Sequence, residues 1–357
     1  MKTYIKFIIN TYIKSFFYVF LIVFSLVFIL NILSEIEFFK NFEVAAYFPI
    51  YTSFLNSPSL FFEIFPFVFL IGTQVFFINL FQDRQIEIFK YSGLKNSKIL
   101  HIISIISFLI GILIIILFYN LSSNLKNAYL EIKSNYTPDN KYLAVVTKNG
   151  LWIKDNYKGK ISIIHASKIS KNLLIDTFIT EFNENYDVLR NIHSNKINIK
   201  NENWVAHDAT IYENNTTYKK DLLSLYTNFN YRKIQSLFSN LSSLSILELY
   251  DLRKNYKLLE LSTTEVDIQL QKIFTLPIYL TLMTILSTII MFNTKNYNSN
   301  TLKITIGLFL SVIIYYINNF FNVMGKTERI SLEISIWFPL IILILINSIM
   351  IYRINEK

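Results

Sequence analysis

The residues able to do chemistry are few in this chain, and none gathers into a catalytic pattern. The four histidines, His101, His165, His193 and His207, are scattered, three of them in one polar stretch. Their spacing matches no metal-ligand set. Cysteine is absent, which removes disulfides and thiolate-metal sites. There is no Gly-x-x-x-x-Gly-Lys-Ser/Thr loop to cradle a nucleotide, no Gly-x-Ser-x-Gly elbow and no His-Glu-x-x-His helix. The chain is expected to be no enzyme and to carry no cofactor or metal of its own. Trp152, Trp204 and Trp337 are of a type that stacks on sugars, but core packing and interfacial anchoring are the readings adopted here.

The sharpest local pattern is Asp83-Arg84-Gln85-Ile86-Glu87-Ile88-Phe89-Lys90-Tyr91-Ser92-Gly93-Leu94. Ile86, Phe89 and Leu94, with Ile88, give a short amphipathic helix, and Gly93 is placed to cap its end. Such a helix can dock into a groove on a partner. It can equally lie on anionic headgroups through its basic residues.

Stepping outward from that segment, six apolar stretches surround it. They are Phe16–Leu33, Ile64–Phe81, Ile102–Tyr119, Ile273–Phe292, Ile304–Met324 and Ile334–Tyr352, each 18 to 21 residues long and without Asp, Glu, Lys or Arg. A bilayer core needs about 20 helical residues, and backbone groups in lipid must be satisfied within the segment, so each should be a spanning helix. The fold class expected is a membrane α-helical protein with six transmembrane helices in a 3+3 arrangement. The first stretch is longer than the ~7–15 apolar residues of a secretory leader and is read as a retained helix.

The formal net charge is +9. A basic excess can mark a nucleic-acid binder, but the lysines and arginines follow the loops. Eleven basic residues (Lys2, Lys6, Lys14, Arg84, Lys90, Lys95, Lys98, Lys295, Lys303, Arg353 and Lys357) fall on one side, against Lys40, Lys326 and Arg329 on the other. That asymmetry sets both termini in the cytoplasm and the long insert outside. No nucleic-acid partner is expected. The spans lack the ionisable residues that mark ion-coupled carriers, so any work must be powered from elsewhere.

The insert between the third and fourth spans, about Leu121 to Gln271, reads as β structure. Strands are expected at Lys141–Thr147, Leu151–Lys154, Lys160–His165, Asp176–Phe182, Tyr186–Ile192, Lys196–Lys200 and Trp204–Tyr212, with turns at Lys148-Asn149-Gly150, Asn183-Glu184-Asn185 and Asn201-Glu202-Asn203. Short strands at regular spacing give a sandwich or jellyroll-like sheet. Leu241–Leu261, through Leu244, Leu247, Leu249, Leu252 and Leu258, reads as an amphipathic helix returning to the membrane. The expected organisation is 1–120 for spans one to three with the amphipathic helix near 83–98, 121–240 for an extracytoplasmic β-jellyroll-like domain, 241–271 for the connecting helix and 272–357 for spans four to six.

Several stretches, in order along nearly the whole chain, resemble the LptF/LptG lipopolysaccharide-export permeases. Asp83–Leu94 is similar to that family's Ser-Glu-Leu-x-x-Leu/Met-x-Ala-Ser/Ala-Gly segment, with Ser92-Gly93 matching and the family glutamate falling on Gln85, two residues before Glu87. Pro58 and Phe61-Phe62-Glu63-Ile64-Phe65-Pro66 look like the proline-bounded approach to the second span. Gly150-Leu151-Trp152-Ile153-Lys154-Asp155 is similar to the opening of the LptG β domain, and Phe182-Asn183-Glu184-Asn185 to a strand-turn within it. Gln271-Lys272-Ile273-Phe274 with Pro277 resembles the start of the fourth span, and Trp337-Phe338-Pro339 the proline of the sixth.

The resemblance implies an inner-membrane permease subunit, most like LptG, paired with an LptF-like permease. It implies an LptB-like ATPase dimer that binds ATP and Mg, an LptC-like periplasmic acceptor and lipopolysaccharide as cargo. Residues Arg84, Gln85, Ile86, Glu87, Phe89, Lys90 and Gly93 then belong to an ATPase-coupling helix. Lys40, Lys126 and Lys133 become candidates for contacting the lipid headgroup phosphates. The alternative class is an ATPase-coupled scaffold that drives the outer domain and moves no lipid.

Overall fold

The computed structural model describes residues 3–136, 151–157, 160–170, 172–213, 216–231, 234, 240–258, 262–294 and 299–355. The chain divides into two compact units, Met1–Tyr129 with Thr264–Lys357, and Leu130–Thr263.

The first unit is helical. Its elements are α1 (Thr3–Phe39), α2 (Phe48–Phe62), α3 (Phe65–Gln82), α4 (Gln85–Tyr91), α5 (Asn96–Leu113), α8 (Thr264–Asn293), α9 (Asn300–Lys326) and α10 (Leu332–Asn355). A π-helical turn at Ile114–Tyr119 carries α5 without a break into α6 (Asn120–Ser134), and α7 (Ile246–Leu258) lies in the second unit. Among the described residues six helices are long and apolar enough to cross a bilayer, as the sequence led us to expect. Helix α1, at 37 residues, is about 55 Å long at ~1.5 Å per residue, well beyond a ~30 Å hydrocarbon core. Glu35 sits within α1 and is buried. Lys303, read from the sequence as a loop residue, lies buried in the first turns of α9.

Helix α2 is the element that apolar run length does not reveal. Pro49 occupies its first turn and Pro58 lies inside it, while Glu63-Ile64 makes the two-residue turn into α3, whose first turn holds Pro66. Proline's missing N–H is free of cost in a first turn, so these prolines punctuate two helices in succession.

Bilayer helices commonly pack through small residues, yet this chain has only seven glycines and 32 phenylalanines. Edge-to-face rings share that role with the few glycines, such as Gly111 against Pro277. Phe20 meets Phe61 at 4.8 Å, Phe61 meets Phe65 at 5.0 Å and Phe65 meets Phe118 at 5.1 Å, linking α1, α2, α3 and the π-helical turn. Hydroxyls supply the register. Tyr12 of α1 hydrogen-bonds Ser107 of α5 at 2.7 Å, and Ser107 accepts from Thr284 of α8 at 2.9 Å, all three buried.

The second unit holds one antiparallel sheet of six strands in chain order: β1 (Leu151–Tyr157), β2 (Lys160–Ser170), β3 (Leu173–Phe182), β4 (Val188–Asn198), β5 (Asn203–Glu213) and β6 (Thr216–Tyr226). A bend crosses it. Asp176 in β3 and Asp208 in β5 take positive φ (49° and 52°) and drop out of the ladder. The inward-facing positions change phase at each: buried residues run 174, then 177, 179 and 181 in β3, and 204 and 206, then 209 and 211 in β5, while the pairing register is the same on both sides. In β4 the Ser194 hydroxyl repairs the gap by donating to the His207 carbonyl at 2.6 Å. The bend makes a simple meander jellyroll-like.

The sequence reading breaks β4 in two, at Tyr186–Ile192 and Lys196–Lys200; the structure makes one strand with the bend between them. Strand β6 was not foreseen, because nearly all of it is exposed and it lacks alternation. The expected strand Lys141–Thr147 and the Lys148-Asn149-Gly150 turn lie outside the described residues. Helix α7 starts at Ile246 rather than Leu241, behind a capping box in which the Ser245 N–H donates to Glu248 Oε2 at 2.8 Å. Leu249 and Leu252 face inward, whereas Leu247 is exposed.

Candidate functional site

Helix α4 follows α3 after the two-residue turn Asp83-Arg84, with Arg84 in the left-handed region at φ 54°. Glu87 stands in its first turn and Lys90 in its last, both matching the helix dipole. The end is a Schellman motif. Gly93, at φ 76°, donates to the Lys90 carbonyl at 3.0 Å, and the Leu94 N–H reaches back to the Phe89 carbonyl at 2.9 Å. Gly93 thus caps the helix as the sequence indicated.

The apolar face of α4 is turned to the bundle. Ile86 is 1% exposed and belongs to a cluster with Ile8, Tyr12, Phe76, Phe77, Ile99 and Met291, and Phe89 and Leu94 pack against the same cluster. Phe89 also meets Phe7 of α1 edge-on at 6.1 Å. These apolar side chains bind α4 to its own bundle, Ile86 fully buried and Phe89 partly so. The open face carries Arg84, Glu87, Ile88 and Tyr91, at helical spacing, with Ile88 58% and Tyr91 91% exposed. Gln85 is half-buried and donates to Asp83 Oδ2 at 3.3 Å, while Lys90 is exposed. Periodicity marked which residues share a face; it could not say which face the bundle covers.

A second polar group lies at the C-terminal end of α1. Asn31 donates to the Ser53 carbonyl (3.2 Å) and to Ser57 Oγ (3.3 Å) of α2, and accepts from Asn56 at 3.0 Å. Tyr129 donates to Glu35 Oε1 at 2.8 Å. The Lys126 ammonium donates to Asn56 Oδ1 and lies 5.0 Å from the centre of the Tyr129 ring. Lys133 is buried and Lys40 is exposed. Of the three lysines singled out in the sequence, the structure gives Lys126 internal partners and leaves Lys40 on the surface.

The sheet unit shows how its own side chains are spent. Trp204 is buried and donates to the Phe229 carbonyl at 2.8 Å, so it is a core residue, while Trp152 is exposed and stacks on His165 at 4.3 Å. His193 lies 4.3 Å from the Phe178 ring and bonds Asp176 at 3.0 Å; that hydrogen bond, with one from Ser167, holds the Asp176 carboxyl below the usual range. Burial works against the charge on Glu181, but hydrogen bonds from Arg190 (2.6 and 3.0 Å) and Lys160 (2.7 Å) outweigh it and keep that carboxyl below its ordinary value. Among the described residues no group of three or more His, Asp or Glu side chains converges as a metal site.

Fold and site together define a class: a polytopic membrane protein whose sheet-bearing unit is inserted between its third and fourth spans, with a short helix clamped to the bundle just after the second. Over residues 6–353 the chain matches the family described as Lipopolysaccharide export system permease LptF/LptG, and it belongs to that family. It is thus a membrane subunit of a lipopolysaccharide export system. No curated protein matches the chain.

Proposed function

We propose that this chain is one permease subunit of an ATP-driven exporter that lifts lipopolysaccharide from the outer leaflet of the bacterial inner membrane and passes it to a periplasmic acceptor. The observation that carries this reading is α4, a short helix fixed to the bundle by Ile86 and Phe89 while Arg84, Glu87, Ile88 and Tyr91 stay open, in a chain of this family. A helix held rigidly on one side and open on the other can pass a partner's movement into the membrane. The partner is an LptB-like ATPase dimer that binds ATP and Mg, since the chain carries no nucleotide-binding loop.

An energy source is required. Each CH₂ drawn from lipid costs about 0.8 kcal/mol, so several acyl chains exceed what unaided binding supplies. The second permease is LptF-like and the acceptor LptC-like; the sequence motif Gly150–Asp155 favours the LptG-like role for this chain. Both termini are cytoplasmic and the sheet unit periplasmic, as the eleven-to-three bias of basic residues favours. Glu87 rather than Gln85 meets the ATPase, because Gln85 turns back to Asp83. Lys40 is the lysine that stays available to a headgroup phosphate.

Gentle extraction from native membranes into lipid discs tests the reading. Recovery of an ATPase and a second permease of this family with the chain is expected, and recovery of the chain with neither would overturn it.

A further inference from the structure

Gln74, in the middle of α3, is completely buried, and its amide is only half used. Its Nε2 donates to the backbone carbonyl of Lys303 on α9 at 2.9 Å. Among the described residues nothing bonds its Oε1. An unmet buried acceptor costs about 1–3 kcal/mol, so a leucine or methionine would serve packing better at this place. The cost calls for a role that packing does not supply.

The opposite wall is shaped to receive that amide. Gly307 lies one turn beyond Lys303, and a Cβ there would fall on the Gln74 amide, so the amide rests on bare α9 backbone. Further contacts grip the same turns of α9. The Lys303 ammonium stands 5.4 Å from the centre of the Phe81 ring at the end of α3, and Ile304 packs against the cluster that contains Ile86 of α4. Helix α9 is otherwise the least buried of the six spans. Helix α4 joins α3 through only two residues, so its displacement reaches the start of α9 by a hydrogen bond, a cation–ring contact and an apolar contact.

We propose that Gln74, seated against Gly307 and bonded to Lys303, is the positioning residue that transmits movement of α4 to α9. This rests on the reading of the chain as an ATP-driven lipid permease. Gln74 touches neither cargo nor nucleotide in this scheme; it sets how much lipid is moved for each ATP spent.

The test uses the full chain with its co-recovered ATPase and permease partner in phospholipid vesicles containing lipopolysaccharide, and reads lipid released per ATP hydrolysed. Gln74→Met keeps the length and removes the hydrogen bond; Gly307→Ala pushes the amide off the backbone. Both are expected to lower the ratio at least fivefold, with hydrolysis within twofold of the parent. Ser287→Ala is the control, because the buried bond it deletes joins α8 to α3 (Ser287 to the Leu70 carbonyl, 2.7 Å) and does not involve α9. An unchanged ratio in Gln74→Met, or an equal fall in Ser287→Ala, overturns the inference. If Gln74→Met fails to assemble, Gly307→Ala alone decides, and its parental ratio overturns it. A parent complex that moves no lipid with ATP overturns the functional reading, and this inference with it.

Discussion

Asp155 of β1 and Asn228, just beyond β6, join the two edges of the sheet: the Asp155 carboxylate accepts from the Asn228 N–H at 3.1 Å and from its side-chain amide at 2.9 Å. Tyr157 and Tyr226 stack beside this tie at 6.4 Å. The strands concerned are the first and last of the meander, so the tie holds the bent sheet curled. Asp155 is buried, and bonds to a charged group contribute about 1.5–3 kcal/mol each. Asp155→Ala is therefore expected to destabilise the sheet unit by about 2–4 kcal/mol, read by thermal unfolding of the full chain in detergent. A loss below about 0.5 kcal/mol, the range of an ordinary surface change, would contradict the tie.

Acid should weaken the same unit through Glu181. Its carboxyl is lowered in the folded state, so the stability it adds is complete above the unfolded value and drains away as pH falls through the folded one. The window opens near the ordinary value of 4.5 and extends downward. Glu181→Gln is expected to cost about 1–3 kcal/mol at neutral pH and to flatten the decline below pH 4.5. Parallel pH profiles for parent and variant would rule this out.

The two faces of α4 predict opposite consequences for one substitution. Ile86→Asp places a carboxylate inside the apolar cluster, where the cost of burying it should collapse the local fold and the yield. Ile88→Asp and Tyr91→Asp, on the open face, should leave yield and thermal stability at parental levels while reducing recovery of the ATPase at least tenfold. Comparable ATPase recovery from parent and Ile88→Asp would show that the open face is not the contact.

Gly93 is a sharper probe of the same helix. Its φ of 76° lies where an L side chain costs about 1–2 kcal/mol, although no atom stands within 4 Å of an added Cβ. Gly93→Val should fray α4, detected as faster amide hydrogen exchange at Phe89–Leu94, and should weaken ATPase recovery. Exchange as slow as in the parent would remove the strain argument.

What the sequence disclosed follows from the physics of each element. The six spans were legible because lipid leaves a long uncharged run no other conformation. Gly93 was legible because a left-handed cap wants glycine. The orientation of α4 was not, since Ile86 and Phe89 share a face whether that face meets a partner or the bundle. The sheet was read in halves: Lys160–His165 and Tyr186–Ile192 stop at or just before the bend, and Asp176–Phe182 begins at it, because the alternation that marks a strand changes phase there. Lys126 looked free in sequence because its partner Asn56 is 70 residues away, on the helix that run length hid.

Lipid release is the measurement closest to the central claim. Vesicles carrying lipopolysaccharide and this chain with its co-recovered partners should transfer the glycolipid to a soluble periplasmic acceptor when ATP and Mg are added, and should retain it with a non-hydrolysable analogue. Vigorous ATP hydrolysis with no glycolipid leaving the vesicles would contradict the account and mark the chain as a scaffold.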